Sequence, residues 1–240
     1  MATESLRNNK TMTHKEVQQI AKDTMEALRQ NIHAGMTLND VRAFCENKML
    51  ELGADSFWYW DVGAFVFCGD QTTLSVSGRE YVTAQKVIGE NDIVTVDLSP
   101  QVGDTWGDYA RTIIVEDGKT VPSIDKIKNA QWREGLLMEE TLHEKLKSVA
   151  TPNTTFEELY YRMNDFIKAS GFINLDFMGN LGHSIVRKKD DRIYIEKGNA
   201  AKLGDVEFFT FEPHISRPDS VFGYKKENIY YFENGALTEL

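Results

Sequence analysis

A helix-opening signature, Thr37-Leu38-Asn39-Asp40, returns 118 positions later as Thr155-Phe156-Glu157-Glu158. In such a capping box the threonine hydroxyl accepts the N–H three residues on, and the acid there reaches back to the threonine N–H, so the helix start is fixed. The offset persists past the caps: Val41 matches Leu159, and the stop glycines Gly53 and Gly171 match each other. Ahead of the first copy, Thr13 and Glu16 open a helix with Val17, Ile20, Ala21, Thr24, Leu28 and Ile32 at helical spacing, ended by Ala34-Gly35. Ahead of the second copy, Trp132 to Val149 reads as a long helix. Each helix pair precedes stretches rich in aromatic and β-branched residues, which favour strands: Phe57 to Phe67, runs near Val94 and Ile113, and Phe208 to Phe211. A chain that repeats helix, helix, strands is expected to fold as two α+β halves, about 13–118 and 123–240, related by a pseudo-twofold axis within one domain spanning 1–240.

The residues able to carry chemistry sit at the ends of apolar runs. Asp97 ends Ile93-Val94-Thr95-Val96, Asp108 precedes Tyr109 to Val115, Glu212 ends Phe208 to Phe211, and His183 follows Met178-Gly179-Asn180-Leu181-Gly182. Acids in β-rich apolar surroundings are costly unless their charge is compensated. Taken singly, each reads as an ordinary hydrogen-bonded structural residue. As a set, carboxylates with one imidazole suit borderline-hard divalent ions. Asp97 and Asp108 lie eleven apart across a turn rich in Gly and Asp, a spacing that suits a hairpin holding both carboxylates on one face. A site between the halves would draw Asp97 and Asp108 from the first, and His183, Glu212 and Glu227 from the second. Lys225 and Lys226 beside Glu227 leave a second reading for that residue, a plain surface carboxylate.

A net charge of -10 argues against a nucleic-acid partner, which needs a basic surface. No apolar run approaches membrane-spanning length. Met1 to Glu16 is polar and lacks the apolar core of a secretory signal, so a cytoplasmic location is expected. The two cysteines, Cys45 and Cys68, read as buried hydrophobes rather than a disulfide.

Five segments together resemble the pita-bread metallopeptidases, the family of methionine aminopeptidase, aminopeptidase P and prolidase, with metal-free creatinase as a relative. They are Val94-Thr95-Val96-Asp97-Leu98, Gly107-Asp108-Tyr109-Ala110-Arg111-Thr112, Gly182-His183, Thr210-Phe211-Glu212-Pro213, and a glutamate ahead of Glu233-Asn234-Gly235. The resemblance runs from about Thr13 to the C-terminus. It implies an α+β pita-bread fold, with pseudo-twofold-related halves around a curved antiparallel sheet. It implies two divalent ions of manganese, cobalt, iron or zinc. Asp97 would chelate one, Asp108 and Glu227 would bridge both, and His183 and Glu212 would complete the second. Glu227 is the best match for the last ligand, with Glu233 as the alternative. Glu212 would also accept a proton from the attacking water. The implied activity is a hydrolase that releases an N-terminal residue from a peptide or cleaves a small amide. Peptide or small amide is then the partner, and a homodimer stays open.

The chain also departs from that pattern. The family places a substrate-contacting histidine before the first aspartate ligand, yet no histidine occurs between His33 and His143, and the matching segment Thr72 to Gly78 offers serines. A second histidine belongs seven residues after His183, where Asp190 stands. Groups of this kind stabilise the tetrahedral intermediate, and losing one commonly costs a factor on the order of a hundred. The alternative function is therefore a catalytically impaired or repurposed member that binds metal or peptide. A creatinase-like enzyme acting on a small C–N substrate is a third reading, though five retained ligands argue against its metal-free form. His214, past Pro213, is the candidate substitute, either projecting into a cleft or lying on a surface loop. Arg111 reaches a ligand carboxylate only if a bulge resets strand alternation. Phe57-Trp58-Tyr59-Trp60 with Trp106 would line a pocket or pack strands.

Overall fold

The threonine capping boxes set three of the four long helices in a computed structural model that describes residues 11–240. Positions 1–10, part of the polar stretch read for a secretory signal, lie outside the described residues. Thr13 caps α1 (His14–Asn31), Thr37 caps α2 (Leu38–Leu52) and Thr155 caps α4 (Phe156–Ala169), each with the reciprocal acid in place. The remaining helix, α3 (Ala130–Val149), is capped by Asn129, which accepts from the N–H groups of Gln131 and Trp132, so it starts two residues before Trp132. Gly53 closes α2 with φ 111°, a left-handed cap that glycine adopts without a Cβ clash. Along α1 the buried residues Val17, Ile20, Ala21, Thr24 and Leu28 form one stripe at helical period.

The strands repeat as the helices do. The first half carries β1 (Ser56–Phe57), β2 (Ala64–Cys68), β3 (Asp92–Leu98), β4 (Pro100–Val102), β5 (Thr105–Trp106), β6 (Tyr109–Glu116) and β7 (Lys119–Thr120). The second carries β8 (Ile173–Asn174), β9 (Ser184–Ile185), β10 (Phe208–Phe211), β11 (His214–Ser216), β12 (Gly223–Lys225), β13 (Asn228–Glu233) and β14 (Ala236–Glu239). One half forms sheets in the order β2-β3-β6-β7 and β1-β4-β5; the other forms β9-β10-β13-β14 and β8-β11-β12. Each strand thus has its counterpart seven strands later, in the same antiparallel neighbourhood. Two of the isolated bridges correspond as well, Thr37 to Val87 and Thr155 to Lys202. Two apolar cores follow this division. One gathers α1 and α2 on β2, β3 and β6 around Leu28, Val41 and Val96; the other gathers α3 and α4 on β10 around Leu142, Phe156 and Phe209.

The halves meet where β6 lies against the β12–β13 corner. The Glu227 N–H donates to the Ala110 carbonyl at 3.0 Å, and the Lys225 N–H donates to Thr112 Oγ1 at 2.8 Å. This seam places the chemistry-bearing side chains of both halves side by side.

Three local expectations are corrected. Phe57 to Phe67 is not one strand: β1 ends at Phe57, Trp60 and Asp61 take left-handed φ of 58° and 57°, and pairing resumes at Ala64. The step from Asp97 to Asp108 is no simple turn, because β4 and β5 form a hairpin of their own between β3 and β6. The β3–β6 register is unbroken from Asp92 to Leu98, so no bulge turns Arg111 toward Asp97. Cys45 and Cys68 are buried and free, with burial pushing both thiols up. Among the described residues no helix is long and apolar enough to cross a membrane.

Candidate metal centre

Asp97 faces Ala110 across the β3–β6 ladder. Asp108, two residues before Ala110, therefore projects from the same face. Its backbone is clamped from α1: the Asp108 N–H donates to Gln18 Oε1 at 3.0 Å, and Gln18 Nε2 donates to the Asp108 carbonyl at 2.7 Å. His183 is fixed by β10. Its N–H donates to Thr210 Oγ1 at 3.0 Å, and the same hydroxyl donates to Glu212 Oε1 at 3.3 Å, so one threonine orients both groups. Gly182 makes this approach feasible, since a Cβ there would sit 2.3 Å from the Thr210 carbonyl oxygen at φ +137°. His183 Nδ1 donates to the Ser184 carbonyl at 3.2 Å. That leaves the Nε2 lone pair facing Asp108 Oδ2 at 3.5 Å and Glu212 Oε1 at 3.7 Å.

Glu227 enters from the seam. Arg111 Nη1 donates to its carbonyl at 2.7 Å while Nη2 donates to Asn228 Oδ1 at 2.6 Å. Arg111 thus holds the Glu227 backbone instead of reaching a carboxylate, because strand alternation sends it away from Asp97. Glu227 is only 1% exposed, and among the described residues neither of its carboxylate oxygens has a hydrogen-bond donor. The surface reading of Glu227 does not apply, and Glu233 is exposed near the end of β13. One ligand atom each from Asp108, His183 and Glu227 lie within 4.8 Å of one another. Burial first, then neighbouring carboxylates, push the Asp108 and Glu227 carboxyls well up, and burial also raises Glu212. Burial holds His183 down to about 4, hence neutral. Mutually opposed carboxylates beside an unprotonated imidazole nitrogen fit a divalent cation.

Lys225 is the residue that sequence reasoning missed here. Its Nζ lies 2.6 Å from Asp97 Oδ2 and 3.1 Å from Glu212 Oε2. Burial alone would lower its pKa, but Asp97, Glu212 and Glu227 more than offset this and hold it well above the ordinary lysine value. A signal was present: Lys225 and Glu227 are two apart in an extended stretch, so an inward Glu227 carries Lys225 inward too.

The centre floors a cleft of about 610 Å³. Trp58 and Tyr59 line it with Phe65 and Phe67, while Glu80, Asp176 and Glu196 make part of the wall acidic. Trp58 stacks on Trp106 at 4.3 Å and meets the His183 ring edge-on at 5.7 Å. Trp106 itself backs Trp58 from the core, and Trp60 turns outward under Arg79. Ser75 Oγ donates to Asp176 Oδ1 at 2.9 Å and ties the two rims together. His214 is not on a surface loop: it is 5% exposed, in β11, on the cleft wall. Its Nε2–H donates to the Thr72 carbonyl at 2.7 Å, and burial holds the ring down to about 4. Nδ1 is then an acceptor. Asp190 is exposed on a short turn, but Arg192 from the same loop enters the cleft, 4.7 Å over the Trp58 ring.

Residues 13–234 match the sequence profile described as metallopeptidase family M24. Prolidase from Pyrococcus furiosus superposes with a TM-score of 0.76 at 22% identity, over 98% of this chain and 65% of that one. X-Pro aminopeptidase from Thermotoga maritima MSB8 gives 0.76 at 21% identity, over 94% of this chain and 58% of that one. Xaa-Pro dipeptidase from Bacillus anthracis gives 0.72 at 21% identity, over 98% and 62%. The chain therefore spans less than two thirds of the length of these proteins. No curated protein matches it by sequence. The doubled helix-and-sheet topology is the α+β pita-bread architecture of these neighbours. By its profile match over nearly all of its length, and by this fold, the chain belongs to metallopeptidase family M24.

Proposed function

We propose that the chain is a divalent-metal-dependent hydrolase that releases an N-terminal residue from a short peptide or cleaves a small amide, working in the cytoplasm with manganese, cobalt, iron or zinc. The observation that carries this reading is Glu227, a buried carboxylate that has no donor among the described residues and lies beside Asp108 and the Nε2 of His183. Asp108, His183 and Glu227, with Glu212 beside them, would hold the ion. When bound, it supplies carbonyl polarisation and lowers the pKa of water. Glu212, whose Oε1 accepts from the Thr210 hydroxyl, would take the proton of the attacking water. Glu80, Asp176 and Glu196 suit a substrate ammonium, and the aromatic wall suits an apolar side chain. Arg192 presents a guanidinium to a substrate carboxylate.

The two histidines that the family pattern would place toward a developing oxyanion are missing from segment 72–78 and from position 190. Besides His183, the cleft-lining histidine is His214, whose N–H is spent on Thr72. Turnover is therefore expected to be slow, with His214 fixing the Thr72 wall. The same observation favours the second reading, a repurposed member that binds metal or peptide without ordinary peptidase activity.

Metal-stripped protein supplied with Mn(II), Co(II), Fe(II) or Zn(II) and a panel of Met-initiated, Xaa-Pro and other dipeptides and tripeptides separates the two. Released amino acid that disappears with chelator, and falls by about a hundredfold or more in Glu212→Gln, is the expected result. Tight metal binding with no release across the panel would establish the second reading.

A further inference from the structure

We infer that Lys225 takes the place of one of the two ions in this centre, so that the chain holds a single divalent cation at Asp108, His183 and Glu227. The inference rests on the metal-centre reading but not on peptidase activity.

The five acidic and imidazole groups do not form one nest. Among the described residues the group that closes within 4.8 Å is Asp108, His183 and Glu227. Asp97 lies outside it, with Oδ2 on Lys225 Nζ at 2.6 Å, and Glu212 divides its oxygens, Oε1 toward His183 and Oε2 toward Lys225 at 3.1 Å. A compact cation therefore already stands between Asp97 and Glu212. It is not a loose surface lysine. Its side chain is 18% exposed, and its backbone is clamped in both directions by Thr112, which accepts from the Lys225 N–H at 2.8 Å and donates to the Lys225 carbonyl at 3.1 Å. Withdrawing Nζ would strip Asp97 Oδ2 and Glu212 Oε2 of the ammonium they share.

Charge points the same way. Asp97, Asp108, Glu212 and Glu227 supply four negative charges when ionised. One divalent ion and the Lys225 ammonium leave the centre slightly negative. Two divalent ions beside the same ammonium would leave it positive, with like charges held a few ångströms apart in a poorly screened site.

Protein saturated with Mn(II), then freed of excess metal, should carry one manganese per chain by mass spectrometry, with the paramagnetic resonance pattern of an isolated ion. Lys225→Met should carry two, with an exchange-coupled pattern. Two coupled ions in the unmodified protein would overturn the inference and leave the hydrolase reading standing. One ion in both proteins would show that Lys225 is not what excludes the second. No bound ion at all would remove the inference and the metal-centre reading together. Should Lys225→Met fail to fold, Asp97→Asn decides: it should keep the one ion here, whereas in a two-ion centre it would lose one of two.

Discussion

Arg192 is the cleft's unclaimed cation. Its guanidinium stacks on Trp58 at 4.7 Å, its Nε donates to the Lys189 carbonyl at 2.7 Å, and no carboxylate pairs with it among the described residues. Stacking removes one face from water while the Nη groups stay free for a planar anion. Hydrogen bonds to charged groups contribute about 1.5–3 kcal/mol, a tenfold effect or more. Arg192→Gln should therefore raise KM by about tenfold for dipeptides with a free carboxylate, and change KM little for the same dipeptides amidated. Steady-state kinetics on matched pairs checks this. Equal losses on both substrates would make Arg192 part of the scaffold of the wall. The contrast with Arg111 is instructive: that guanidinium is spent on the Glu227 carbonyl and Asn228 Oδ1, and lies 3.8 Å over Tyr109. It has nothing left to offer a substrate.

Helix α3 illustrates what an element can hide. It sends Glu139 and His143 inward one turn apart, both buried. His143 Nε2–H donates to the Lys226 carbonyl at 3.0 Å, and Nδ1 accepts from the Tyr230 hydroxyl at 2.7 Å, which fixes the ring neutral. Burial keeps it well below the ordinary histidine value. The unfolded chain takes up that proton near pH 6.5 and the folded chain does not, so stability falls as pH drops below about 6.5. Glu139 works oppositely. Burial holds its carboxyl well above the usual range, and its contribution declines as pH rises past about 4.5. Denaturant midpoints at pH 7.5 and 5.5 should show a loss in the unmodified protein on the order of 1 kcal/mol larger than in His143→Gln. An equal loss would assign the acid limb elsewhere. At this scale the sequence was most readable where structure is local. The threonine caps named three helix starts because each box is complete within four residues, and β3 and β10 were visible as apolar runs. The Trp60-Asp61 break was not visible, since aromatic content argues for strand and neither residue is the glycine that would mark a left-handed turn. Asp97, Asp108, His183, Glu212 and Glu227 stood out as acids and an imidazole against apolar runs. Lys225 did not, because a lysine next to a lysine reads as solvated; the carboxylates that draw it inward come from both halves, a tertiary fact.

At the scale of the molecule, the pseudo-twofold repeat puts two cores side by side, and the candidate centre is built across their seam. Asp108 immediately precedes β6 of the first half, and His183 and Glu227 belong to the second, while the Glu227 N–H bonds to the Ala110 carbonyl at 3.0 Å. A cation bound there is released when either half unfolds, so its binding energy should stabilise both together. A ligand at a hundred times its Kd contributes about 2.7 kcal/mol. For a chain of this size each kcal/mol moves Tm by about 2–4 °C, so Mn(II) at that excess should raise Tm by roughly 5–10 °C over chelated protein. Calorimetry should show one transition moving as a unit, because neither core melts without opening the seam. Two transitions, with metal shifting only one of them, would mean that the ion is held within one half and that Asp108 and Glu227 do not share it.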